Sequence, residues 1–142
     1  MTAILDPSDA KHAAALIRLV DDKIGWLTTV DPDGQPQASP IWFLFDAGEV
    51  LLFSDRRARR NGNLADNPRV AFNLHTDAGG GSVISMEGEA RLVPDEPPSS
   101  SNAAYQAKYG AWIAEYDWTF DWFEEHYPHA IRIAPTRWRV SG

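Results

Sequence analysis

"GWLTTVDPDGQPQASPIWFLFDAGEVLLFS", residues 25–54, decides the fold. Two turn clusters, "DPDG" (31–34) and "DAGE" (46–49), cut it into runs of strand length, "GWLTTV", "QPQASPIWFLF" and "VLLFS". Asp, Pro and Gly supply the turns, and β-branched and aromatic residues fill the runs, so the stretch reads as an antiparallel meander of three strands. Residues 41–45 are apolar on both faces, the pattern of a sandwiched strand, which a barrel or a dimer seam would cover.

On the N-terminal side, "DPSDAKHAAALIRLVDDK" (6–23) offers Asp6 or Ser8 as a cap, Pro7 in the first turn, and Ala13, Leu16, Ile17 and Val20 at helical spacing. This predicts an amphipathic helix over 8–22. On the C-terminal side, "RVAFNLH" (69–75) is a strand, and "VISMEGEARLV" (83–93) alternates with Ile84, Met86, Gly88, Ala90 and Leu92 inward. "DAGGGS" (77–82) joins them as a hairpin loop, lacking the spacing of a dinucleotide fingerprint and the Lys-Ser/Thr of a P-loop. After the loop "PDEPPSSSN", residues 102–127 read as helical, with Tyr105, Tyr109, Trp112, Ile113 and Tyr116 along one stripe and Thr119 capping a second short helix that Pro128 stops. A final strand over 129–140 slips its alternation at Pro135, as a bulge requires. The expected fold is mainly β: a six-stranded antiparallel split β-barrel with helical additions, in one domain over 1–142 whose barrel strands fill 24–93 around a basic helical crossover at 55–66.

The chain has 142 residues, a formal net charge of −7, 44% apolar residues, six Trp, six Phe, four Tyr and no cysteine. That is the composition of a folded domain, and it excludes disulfides, thiolate catalysis and cysteine-ligated metals. A cytoplasmic location is expected, with no membrane span and no general affinity for nucleic acid, since a polyphosphate binder wants a basic face. His126 and His129 are separated by Pro128 and read as surface or core residues, so no metal site is expected. Glu87 and Glu89 read as exposed strand positions, and no Ser-His-Asp order stands out.

Against this acidic background, "FSDRRARRNGNLADNPRV" (53–70) places Arg56, Arg57, Arg59 and Arg60 within five positions directly after a strand. With Ser54 as cap, the run would fill the first turns of a helix, where the peptide dipole already disfavours cations by a few tenths to about 1 kcal/mol each. A bound phosphate resolves that conflict.

At this point the order "TTVDPDGQPQASPIWF", a strand ending in serine, a basic segment, "NPRV", "EGEA" and "IRIAPTRWRV" resembles the flavin-reductase-like split β-barrel proteins of the pyridoxamine-phosphate-oxidase-like superfamily. Within it, the order is most similar to the actinobacterial branch that uses the 8-hydroxy-5-deazaflavin coenzyme F-420 (FDOR-B type). The resemblance runs from about Ile24 to Val140. It implies a homodimer with cofactor sites at the subunit interface and hydride transfer between F-420 and a small organic acceptor. Ser39, Pro40, Ile41, Trp42 and Phe43 would line the ring, Ser54, Arg59 and Arg60 would meet the phosphate, and Arg56, Arg57 and Asn63 would stand close by. Family members often carry lysine where Arg60 stands. No catalytic side chain is expected, because the cofactor carries the hydride itself. Trp138 and the Trp118/Trp122 pair are candidates for closing a hydrophobic substrate pocket, with core or dimer packing as the alternative. FMN is the alternative cofactor, and a non-catalytic deazaflavin or haem binder is a second alternative. F-420 carries a phosphodiester and an acidic glutamate tail, so four clustered arginines favour it over FMN.

Overall fold

The computed structural model describes residues 2–142. Helix α1 (Ala10–Asp21) leads into strands β1 (Ile24–Val30), β2 (Pro36–Trp42), β3 (Leu44–Asp46) and β4 (Glu49–Ser54). Helix α2 (Arg59–Asp66), β5 (Arg69–Asn73) and β6 (Ile84–Leu92) follow, then α3 (Ala103–Glu115), α4 (Phe120–His126) and β7 (His129–Val140). All strand pairs are antiparallel, in the order β2-β1-β5-β6-β7-β4-β3.

The sheet has seven strands rather than the six expected, and the difference lies in "QPQASPIWFLF". That run breaks at Phe43, so that β2 pairs with β1 while β3 pairs with β4. Because β2 and β3 stand at opposite ends of the strand order and only Phe43 separates them in sequence, the chain itself carries one edge of the sheet to the other and the sheet curls. The break is held by Tyr109, whose buried hydroxyl accepts from the Phe43 N–H at 2.8 Å and shares its proton between the carbonyls of Lys23 (2.7 Å) and Phe43 (2.9 Å). Backbone groups that leave the ladder here therefore keep partners.

The double-sided apolar character of residues 41–45 is explained within the chain. Ile41 and Phe43 are buried in a cluster inside the curl with Leu27, Phe72, Met86, Ile131 and Ile133, and Phe45 packs against it. Trp42 and Leu44 face a second cluster, built from Leu51, Phe53, Tyr105, Tyr109, Ile113 and Phe123 under α3 and α4. Gly88 lets β6 and β7 approach closely: a Cβ there would meet the Ala134 carbonyl oxygen and Met86 Sδ at 2.8 Å. The expected bulge is present opposite it, where Glu87 pairs with Arg137 but Gly88 with Pro135, leaving Thr136 extra.

Three local expectations need correction. Helix α1 starts at Ala10 with Asp9 as its cap, accepting from the N–H groups of Lys11 and His12, because Asp6 is taken by the N–H and hydroxyl of Ser8. Its buried residues are Ala15 and Leu19, while Ile17 and Val20 are 63% and 60% exposed. Leu92, the last residue of β6, is exposed rather than inward, although its cross-strand partner Ile131 is buried in the inner cluster.

The Phe43 joint also carries a cation. Lys108 Nζ donates to the Phe43 carbonyl at 2.9 Å and lies 3.9 Å from the centre of the Phe43 ring, and Lys23 donates to the Lys108 carbonyl. Burial, with the Lys23 charge adding to it, pushes Lys108 down to about 8. The folded protein therefore holds fewer protons than the unfolded chain between pH 8 and the ordinary lysine value, and stability rises with pH in that window. The gain expected between pH 8 and 10 is about 1 kcal/mol after discounting for solvent screening. Lys108→Met should raise the melting temperature at pH 7 and flatten that rise, because Tyr109 still satisfies the Phe43 carbonyl. Thermal melts of both proteins across pH 7–10 check this, and parallel curves would refute it.

Candidate functional site

The expected basic helix over 55–66 is shorter than read. Residues 55–58 form a turn in which Asp55 accepts from the Arg57 N–H at 2.8 Å, and α2 begins at Arg59 with Ala58 as a cap that offers no side chain. Ser54 is not the cap: it is the fully buried last residue of β4. Only Arg59 and Arg60 thus stand in the helix's first turn, while Arg56 and Arg57 precede it.

Arg60, Asn63 and Leu64 sit at i, i+3 and i+4, so one face of α2 carries all three onto the sheet. Asn63 and Leu64 are buried. Asn63 Nδ2 donates to Thr29 Oγ1 and Gln37 Oε1, both at 3.0 Å, which uses this amide to tie α2 to β1 and β2. Arg60 reaches further: Nη1 donates to Ser54 Oγ at 3.1 Å and Nη2 to Ser39 Oγ at 2.9 Å. One guanidinium therefore bridges the middle of β2 and the end of β4. It takes part in no ion pair among the described residues, and burial draws its pKa down while the charge of Asp55 draws it up. Arg132, by contrast, meets carboxylate oxygens of Glu96 at 2.5 Å, Asp46 at 2.8 Å and Glu49 at 3.5 Å. A half-buried guanidinium held only by two neutral hydroxyls is short of one negative charge.

Arg60 lines a cavity of about 750 Å³ whose other walls are Pro40, Ile41 and Trp42 from β2, Phe53 from β4, Asp55, Arg57 and Ala58 from the turn, and Tyr116, Trp118, Phe123 and Tyr127 around α4. Pro40 costs the ladder little, since β2 is an edge strand. Trp42 is the hub of the apolar wall. Its ring stacks on Tyr109 (4.8 Å) and Phe123 (5.7 Å), meets Trp112 edge-on (5.5 Å), and stands 6.3 Å from Trp118. Tyr116 stacks on Trp118 at 4.9 Å, and Tyr127 on Phe123 at 4.5 Å. The Tyr127 phenol is held above the usual tyrosine range by burial first and by Asp55, against the pull of Arg57 and Arg60, so it is a proton donor at neutral pH.

The structure thus brings Ser39, Pro40, Ile41, Trp42, Ser54, Arg57 and Arg60 to one place. It does not bring the others there. Phe43 is fully buried inside the curl, its ring against Phe72 at 5.1 Å. Arg56 donates to the Glu125 carbonyl at the end of α4, and Arg59 is exposed. Trp138 is buried against Phe45 in the inner cluster, and Trp122 stacks between Trp118 and His126. Sequence reasoning missed Phe53, Asp55, Phe123 and Tyr127. The i, i+4 spacing of Phe123 and Tyr127 behind the Thr119 cap was the available signal.

The aromatic wall, the unpaired guanidinium with two serine hydroxyls, and a volume within the range of small-molecule sites fit a planar ligand carrying one anionic group. No group of three or more His, Asp or Glu among the described residues is placed to hold a metal ion. No described helix is long and apolar enough to cross a membrane.

Solved structures of similar fold include a conserved hypothetical protein from Mycobacterium tuberculosis (23% identity over 91% of this chain and 82% of that one, TM-score 0.70). An F-420 reductase matches at 24% identity over 85% and 93%, with a TM-score of 0.62. HutZ, the haem storage protein from Vibrio cholerae, matches at 18% identity over 98% and 96%, with a TM-score of 0.64. At these identities the likeness is one of fold. The sequence itself matches the pyridoxamine 5'-phosphate oxidase family model over residues 10–142, nearly its whole length, and the chain belongs to that family.

Proposed function

We propose that this protein is an oxidoreductase of the F-420-dependent branch, binding the deazaflavin in the cavity beside Trp42 and transferring hydride between it and a small organic acceptor. The observation that carries the reading is Arg60: a half-buried cation on Ser39 and Ser54, without a carboxylate partner, at one end of an aromatic cavity. The ring would lie along Pro40, Ile41 and Trp42, the phosphate would meet Arg60 with both serines, and Arg57 would stand beside it. Exposed Arg59 and Arg56 lie outside the cavity on the same segment, in reach of an acidic tail. When bound, the deazaflavin supplies the hydride. The chain's own residues orient the ring, exclude water through the Trp42, Trp118 and Phe123 wall, and neutralise the anion.

The active form in this reading is a homodimer. The outer face of β1, β2 and β5 presents Trp26, Ala38, Pro40 and Ala71 to solvent or nearly so, and Pro40 also lines the cavity, so a second copy seated there would reach the site. Light scattering should give twice the chain mass.

FMN is the competing cofactor, favoured by family membership. Parallel fluorescence titrations with F-420 and FMN test the reading, with the cavity tryptophans as reporters. Micromolar binding of F-420, tighter than FMN, is expected; binding of neither rejects a redox role. Binding of both reduced and oxidised F-420 without turnover across quinone and unsaturated-ketone acceptors would instead indicate a carrier.

A further inference from the structure

We propose that Asp55 is the specificity residue of this cavity, its carboxylate at the cationic end selecting a singly charged phosphodiester over a doubly charged phosphomonoester. The inference rests on the reading that Arg60 receives the ligand's phosphate.

Asp55 holds the 55–58 turn, and its carboxylate also limits the negative charge that this end of the cavity accepts. Three charged residues line this end of the cavity: Asp55, Arg57 and Arg60. Asp55 accepts from the Arg57 N–H at 2.8 Å and pairs with Arg57 Nε at 3.5 Å, and these contacts hold its carboxyl below the usual aspartate range, so it is ionised at neutral pH. Arg57 and Asp55 offset each other, and the charge left over is that of Arg60. Arg56, whose charge also reaches Asp55, is turned to the Glu125 carbonyl, and Arg59 lies outside the cavity wall. Tyr127, the remaining titratable neighbour, is neutral.

One net positive charge is complemented by one negative charge. A phosphodiester brings one. A phosphomonoester, whose second proton leaves near pH 6, brings nearly two at pH 8. The second charge is repelled by Asp55, while Arg56 and Arg59 stand outside the cavity wall, and through a partly screened path a unit-charge interaction of this kind changes affinity by about three- to tenfold.

The test compares FMN, a phosphomonoester, with its phosphate methyl ester, a phosphodiester on the same ring without an acidic tail, and titrates F-420 alongside them, by tryptophan fluorescence at pH 8 and low salt in the full-length protein. The proteins are wild type, Asp55→Asn and Asp55→Ser. Asparagine keeps an oxygen acceptor for the Arg57 N–H, and serine can hold the turn with its hydroxyl, so both variants remove charge without removing the turn. The expected result is an affinity ratio moved toward FMN by about threefold or more, equally in both variants. If F-420 binds but the ratio is unmoved, moves away from FMN, or moves in one variant only, the role of Asp55 is refuted while the cofactor reading stands. If wild type binds none of the three ligands, both fall.

Discussion

Replacing Arg60 with alanine is expected to weaken F-420 binding by one to two orders of magnitude while leaving the melting temperature within a few degrees of wild type. Each charge-assisted hydrogen bond is worth about 1.5–3 kcal/mol, and a bidentate guanidinium facing a phosphate makes at least one that water cannot replace once the cavity is closed. Folding loses little by the change. The charge it removes is half-buried without an ionic partner, and the two serine hydroxyls it leaves, Ser39 Oγ and Ser54 Oγ, can rotate to other acceptors. Arg60→Lys should fall between, since a lysine keeps the charge but cannot span two serines and a phosphate with a planar fork. Arg59→Ala, by contrast, should cost only a few-fold, because Arg59 is exposed and outside the cavity wall. The sequence treats Arg59 and Arg60 alike; the helix separates them by about 100° of rotation, and the titration should separate them by at least about threefold. Unchanged affinity in Arg60→Ala would remove the phosphate from this end of the cavity.

Much of the fold was legible because its signals are local. The turn clusters "DPDG" and "DAGE", the alternation of "ISMEGEA" and the slip at Pro135 each depend on a few neighbouring residues, and strands, turns and a bulge stand where those signals put them. The break at Phe43 was not legible. An eleven-residue run ending in five apolar residues is consistent with one long strand, and what cuts it is a hydroxyl 66 residues away, on Tyr109. The same limit applies to the cavity. Ser39, Ser54 and Arg60 meet because β2, β4 and α2 converge, and the arginine run marked the neighbourhood but not which of its members turns inward. That choice follows from the i, i+3, i+4 face Arg60–Asn63–Leu64, where Leu64 supplies the apolar anchor and the two polar side chains go in with it. The aromatic wall was partly visible as a stripe on α3, but Tyr105, Tyr109 and Ile113 of that stripe are core, and the cavity-lining rings Tyr116, Trp118, Phe123 and Tyr127 come from the stripe's end, the loop and α4.

Trp42 carries the largest expected effect on stability, because it belongs to the fold and to the site at once. It is the last residue of β2, immediately before the Phe43 break, and its indole packs against rings from α3, α4 and the loop between them. Trp42→Ala removes the element that joins the curled sheet to its helical layer. Truncating a large aromatic in such a setting costs about 3–5 kcal/mol, which for a chain of this size lowers the melting temperature by roughly 10–15 °C. Trp42→Phe keeps a ring against Tyr109 and Phe123 and should lose less than half as much. The two variants also divide binding from folding. In the phenylalanine variant the phosphate end is intact, since Arg60, Ser39 and Ser54 lie on other contacts, so F-420 should still bind, weakened several-fold by the smaller stacking surface. In the alanine variant, Trp118 and Phe123 lose the ring that positions them, and affinity should fall at least as far as in Arg60→Ala even under conditions where circular dichroism shows the protein fully folded. If the alanine variant, folded, binds F-420 as wild type does, the ring of the cofactor does not lie along β2, and the cavity's aromatic side serves only to hold α3 and α4 to the sheet.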